Sequence, residues 1–89
     1  MPLFEIHVRG RVQGVGFRYL AKEAALRHGV TGFVRNLADR SVYIIAQAEE
    51  SIIESFCDEL KSGNGFSRVD ELRLEQIESE NRYHDVEIR

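Results

Sequence analysis

With 89 residues, 43% of them hydrophobic and 30% charged, the chain has the balance of one folded domain with one modest core, and not that of a disordered tail. Its net charge of −3 lacks the basic footprint of a general nucleic-acid binder and leaves room only for a local cationic site. No apolar run nears the ~20 residues of a membrane span. Glu5, His7 and Arg9 break up the N-terminal segment, which excludes a signal-peptide pattern. The single cysteine, Cys57, permits no internal disulfide and fits a reducing, cytoplasmic setting.

Residues Leu3 to Val12 alternate, with Phe4, Ile6 and Val8 on one side and Glu5, His7 and Arg9 on the other, as a half-buried strand does. A glycine-rich stretch follows. A helix is predicted from about Arg18 to His28, with Leu20, Ala21, Ala24 and Ala25 inward and Gly29 as its stop. Thr31 to Asn36 reads as a second strand, Leu37 to Arg40 as a turn, and Ser41 to Ala48 as a third strand, close enough for an antiparallel hairpin. A second helix spans about Glu50 to Ser62 through the stripe Ile52, Ile53, Phe56, Cys57 and Leu60, with acids early and Lys61 late as its dipole favours. Gly63-Asn64-Gly65 breaks the chain. Arg68 to Gln76 is a fourth strand, Glu78 to His84 a polar loop, and Asp85 to Arg89 a possible short last strand.

The order βαββαβ points to an α+β sandwich of ferredoxin-like type, an antiparallel sheet with two helices on one face. No repeat, low-complexity segment or linker divides residues 1–89, so a single domain is expected.

Gly10 to Arg18, reading Gly-Arg-Val-Gln-Gly-Val-Gly-Phe-Arg, lies between the first strand and the first helix. Glycines let a tight loop turn several N–H groups inward, and a helix start adds unpaired donors and a positive dipole end. Arg18 can offer a planar fork of donors to phosphate oxygens. The stretch therefore reads either as an anion cradle or as a tight connection whose glycines only let the helix pack. It is no dinucleotide fingerprint, because Tyr19 stands at the third glycine position, and no Walker loop, because no Gly-Lys-Ser/Thr follows.

Other chemistry finds little footing. His7, His28 and His84 fall on three different elements without metal-ligand spacing. Cys57 sits in the apolar stripe of the second helix with no basic partner. Ser41, Ser51 and Ser55 lack the context of a nucleophile elbow. Gly16-Phe17-Arg18-Tyr19 is reminiscent of an RNA-binding aromatic motif, yet it falls at a helix start instead of a central strand. Asn36 ends the second strand, where its carboxamide can either hold a water or cap a turn.

The stretch Gly10 to Arg18, followed by Gly32-Phe33-Val34-Arg35-Asn36, resembles the two signature segments of the acylphosphatase family, Gly-x-Val-Gln-Gly-Val-Gly-Phe-Arg and Gly-aromatic-Val-x-Asn. The resemblance covers the whole chain in length and element order. It implies hydrolysis of the carboxyl–phosphate anhydride of small acyl phosphates, without cofactor or metal. It further implies that Arg18 binds the phosphoryl group, that the amides of Gln13, Gly14, Val15, Gly16, Phe17 and Arg18 wrap it, and that Asn36 positions the attacking water. No nucleic-acid or membrane partner is expected, and a monomer is. The chain departs from the common family pattern at Asp39-Arg40, where Asp-Gly is frequent, at His28 for leucine, at Ala48 for glycine, and at Gly63-Asn64-Gly65-Phe66 for Gly-Pro-Pro. A left-handed Arg40 would cost roughly 1 kcal/mol or more, so a different turn is expected there.

Overall fold

The computed structural model describes all of residues 1–89. The elements are β1 (Leu3–Arg11), α1 (Phe17–His28), β2 (Thr31–Asn36), β3 (Val42–Gln47), α2 (Glu50–Ser62), β4 (Arg68–Ile77) and β5 (Val86–Ile88). They form one five-stranded sheet in the order β4-β1-β3-β2-β5, with the core under the two helices. The ferredoxin-like α+β arrangement is the expected one, with one difference. The four long strands pair antiparallel, but β5 pairs parallel to β2, so the sheet is mixed. The polar segment after β4 crosses to the far edge before β5 begins, and the chain then runs alongside β2 instead of against it.

The alternation in β1 places Phe4, Ile6 and Val8 in the core, opposite Ala46, Ile44 and Val42 of β3. Helix α1 lays Ala21, Ala24 and Ala25 on this face, and small side chains let its backbone approach the sheet. Its first residue, Phe17, is fully buried and plugs the core beneath the glycine-rich loop. In α2 the buried stripe is Ile53, Phe56, Cys57 and Leu60, while Ile52 stands at the surface. One helical face is not wide enough to bury two consecutive residues at both 52–53 and 56–57.

Gly10 belongs to β1, not to the loop. The register between β1 and β4 shifts at Arg9/Gly10, leaving Asp70 as the extra residue of a bulge. A Cβ on Gly10 would lie 2.1 Å from the Arg68 carbonyl oxygen, so close strand approach is what requires glycine there. The bulge also turns both Val69 and Leu72 against the core, which strict alternation would not allow.

The β2–β3 turn corrects a second expectation. Arg40 does adopt the left-handed conformation, with φ of 75°. The turn closes through Leu37 N–H to Ser41 O at 2.9 Å and Arg40 N–H to Leu37 O at 3.2 Å. Asp39 accepts from the Ser41 hydroxyl and from its amide at 3.0 Å. Those two bonds hold the Asp39 carboxyl below its ordinary range. His7 Nε2 meets the same Ser41 oxygen at 2.7 Å. The hydroxyl already donates to Asp39, so the imidazole is the donor here. The turn is thus closed by side chains that offset the strain at Arg40.

Candidate active site

β1 and β2 run in the same direction with β3 between them. Their C-terminal ends therefore lie at the same end of the sheet. The loop from Val12 to Gly16 leaves β1 there, and Asn36 ends β2 there, paired with Val42. The two signature segments form one cleft of about 210 Å³, lined by Gln13, Gly14, Gly16, Phe17, Arg18, Tyr19 and Asn36, with Val12 and Ile88 completing its walls. That is about seven times the share of one molecule in liquid water, enough for a tetrahedral anion and an adjoining water.

The loop is built to present donors. Gly14 and Gly16 have φ of 73° and 76°, left-handed values that an L side chain would strain. Gly16 is also the N-cap of α1 and offers no side-chain cap. The amides of Gln13, Gly14, Val15 and Gly16 donate to no acceptor in the protein, and the first turn of α1 adds its own orphan N–H groups. No acidic residue occupies that first turn. The charge found there is Arg18, which has the wrong sign for the helix dipole. A cap without a capping side chain and a cation at a positive helix end are both unfavourable locally, and an anion resolves both.

The remaining site residues are placed as follows. Arg18 is half-buried and reaches the main-chain oxygen of Arg89 at 3.4 Å, which holds its guanidinium at the C-terminal rim of the cleft. Val15 does not line the cleft. Its side chain packs against the core, and its carbonyl turns away to accept from Asn64 Nδ2 at 2.8 Å. The Gln13 side chain points away from the anion position. Its Nε2 donates to the carbonyls of Leu37 at 2.9 Å and Ser41 at 2.8 Å, tying the loop to the hairpin that carries Asn36. The Asn36 carboxamide caps no turn. Its Oδ1 is buried without a hydrogen-bond partner, an exception in folded proteins that points to function.

A family model described as acylphosphatase matches residues 4–88. The chain belongs to the acylphosphatase family. It is 46% identical to an acylphosphatase of Lactiplantibacillus plantarum over 99% of this chain and 98% of that one. It is 41% identical to one of Archaeoglobus fulgidus over the same shares. The crystal structure of acylphosphatase from Bacillus subtilis superposes with a TM-score of 0.94 at 36% identity, covering 100% of this chain and 99% of that one. It is an enzyme of that family, a hydrolase acting on acyl phosphates.

For an acylphosphatase, two further features of the surface are informative. A larger groove, about 660 Å³, lies at the other end of the sheet between Thr31, Gln47 and residues 79–84. No three His, Cys, Asp or Glu side chains converge where they could hold a metal ion. Among the departures from the family pattern, His28 meets Glu59 at 2.9 Å and, with Arg27, ties α1 to α2. Ala48 is simply buried. The side-chain roles of Gln13 and Asn64 were not visible in the sequence, because their partners lie 24 and 28 positions away for Gln13 and 49 for Asn64.

Proposed function

We propose that acyl phosphate hydrolysis runs in this cleft, with Arg18 and the amides of Gln13 to Arg18 holding the phosphoryl group and Asn36 holding the attacking water. Asn36, which lines the same cleft as the unpaired loop amides and whose Oδ1 has no hydrogen-bond partner in the protein, is the observation that carries the reading. The water donates one hydrogen bond to that oxygen, which aims its lone pair at phosphorus. A P–O bond forms to the water and the P–O bond to the acyl oxygen breaks, giving a carboxylate, inorganic phosphate and one proton. A leaving carboxylic acid has a pKa near 4, so its anion departs without a general acid. Charge spread over the equatorial phosphoryl oxygens is met by Arg18 and fixed amide dipoles. What remains is alignment of the water, a positioning task that contributes through orientation.

All of residues 1–89 serve as one such unit, acting as a monomer in the cytoplasm without a nucleic-acid partner. The buried free thiol of Cys57 and the absence of any basic excess support that setting. Turnover of benzoyl phosphate in ¹⁸O-water tests the chemistry. The label is expected in phosphate. Label in benzoate would mean attack at the carbonyl carbon, and the phosphoryl cradle would be the wrong centre.

A further inference from the structure

We infer that Asn64, in the α2–β4 turn, is a positioning residue of the anion cradle, holding the Val15–Gly16 peptide so that the Gly16 amide points into the cleft. The role rests on the reading that the loop amides bind the phosphoryl group. Asn64 Nδ2 donates to the Val15 carbonyl at 2.8 Å. A trans peptide sets its C=O and N–H in opposite directions. With the carbonyl turned out toward Asn64, the Gly16 N–H is turned the other way, toward the cleft that Gly16 lines. Glycine at positions 14 and 16 leaves this stretch of backbone soft. An external donor on the Val15 carbonyl is therefore what keeps the Val15–Gly16 peptide from rotating.

The Asn64 carboxamide is itself fixed. Its Oδ1 accepts from the amides of Phe66 and Ser67, both at 2.9 Å. Two backbone donors on one end and a carbonyl on the other leave a single orientation of the amide. The loop is so braced from two sides, by Gln13 on the β2–β3 hairpin and by Asn64 on the α2–β4 turn. Asn64 stands in the segment where the chain departs from the frequent Gly-Pro-Pro. A proline at this position has no side-chain donor, so this brace belongs to the present sequence.

The test uses Asn64→Ala, Asn64→Asp and Ser67→Ala at 25 °C, with each fold checked by circular dichroism. Asn64→Asp keeps the oxygen that closes the turn, loses the donor and adds a negative charge beside the cradle, so it guards against an unfolded alanine variant while Asn64→Ala carries the magnitude. Inorganic phosphate is titrated as an inhibitor of benzoyl phosphate turnover and against ¹⁵N-labelled protein. Loss of one neutral hydrogen bond predicts a rise of about two- to tenfold in both the inhibition constant of phosphate and KM for Asn64→Ala, and at least as large a rise for Asn64→Asp. The Gly16 amide touches phosphate in ground and transition states alike, so kcat should move far less than KM. The Gly16 amide resonance should shift on phosphate addition in wild type and less in the variants. Ser67→Ala removes the hydroxyl that accepts from the Asn64 amide at 3.4 Å, which loosens the turn but keeps the Asn64 Nδ2 donor, and it should bind phosphate as wild type does. Folded Asn64 variants with wild-type KM and phosphate inhibition would overturn the role, as would an equal loss in Ser67→Ala. A wild-type Gly16 resonance that ignores phosphate, with other loop amides equally unmoved, would instead refute the cradle and this role with it.

Discussion

Replacing Asn36 by alanine should cost activity and leave stability close to wild type. Asn36 Oδ1 is buried with no partner in the protein. In the proposed site a water satisfies that oxygen, so deleting the carboxamide leaves no acceptor stranded, and it sacrifices little packing because Asn36 is only half-buried and its side chain bonds to no protein group. For a domain of this size each kcal/mol corresponds to about 4–8 °C in Tm, so Asn36→Ala should melt within a few degrees of wild type. Turnover should fall. Losing one oriented polar contact in a transition state costs about 2.7–4 kcal/mol in comparable sites, or about 10²–10³ in kcat. Phosphate binds through the loop and Arg18, so its inhibition constant should stay within about twofold of wild type. The measurements are a thermal melt, steady-state turnover of benzoyl phosphate and phosphate inhibition on one preparation. A variant that melts well below wild type with kcat intact would show that Asn36 is a structural residue and that the orphaned oxygen has no part in aligning water.

Four further outcomes are expected. Arg18→Gln removes a charge that contacts the phosphoryl group in both states, so phosphate inhibition and kcat/KM should both collapse, the latter by about a hundredfold or more for ~3 kcal/mol; a variant that keeps phosphate affinity would displace Arg18 from the cradle. Arg40→Gly relieves the left-handed strain at an exposed, unbonded side chain, and after the extra flexibility of glycine in the unfolded chain it should stabilise by about 0.5–1 kcal/mol, read as a rise of a few degrees in Tm. Burial pushes the Cys57 thiol up to about 11, and burial with the hydrogen bond to Glu5 pushes Tyr43 up to about 12; both folded pKa values exceed the unfolded ones, so their stabilisation is full below about pH 9 and is lost as pH rises through 11 to 12, and the alkaline slope of Tm should flatten in Cys57→Ala. Excess EDTA should leave turnover unchanged, since no three donor side chains converge on a metal position; activity lost to EDTA and restored by a divalent cation would contradict that.

The periodicities of β1, α1 and the β2–β3 hairpin were legible from the chain because burial on one face writes a local pattern. Phe4, Ile6 and Val8 repeat every second residue, and Ala21, Ala24 and Ala25 repeat at helical spacing. The elements of the site were legible for the same kind of reason. A glycine-rich loop, an arginine at a helix start and an asparagine at a strand end are contiguous signals, and both signature segments lie within the residues 4–88 that the family model matches. What a local pattern cannot carry is the third dimension of the partners. The glycine at position 10 looks like part of the loop in sequence, but the Arg68 carbonyl that demands it lies on another strand. Ile52 fits the apolar stripe of α2 as well as Ile53 does, and only the neighbouring sheet decides which is covered. The parallel pairing of β5 with β2 depends on which edge of the sheet is free after four strands have taken their places. The Gln13 and Asn64 side chains, reaching carbonyls between 24 and 49 residues away, convert a flexible glycine loop into a fixed set of donors. The sequence alone determined which groups make up the proposed site. The tertiary structure decided which way they face, because the direction of a peptide N–H is set by what its neighbouring carbonyl bonds to, and that partner is supplied by a distant part of the chain.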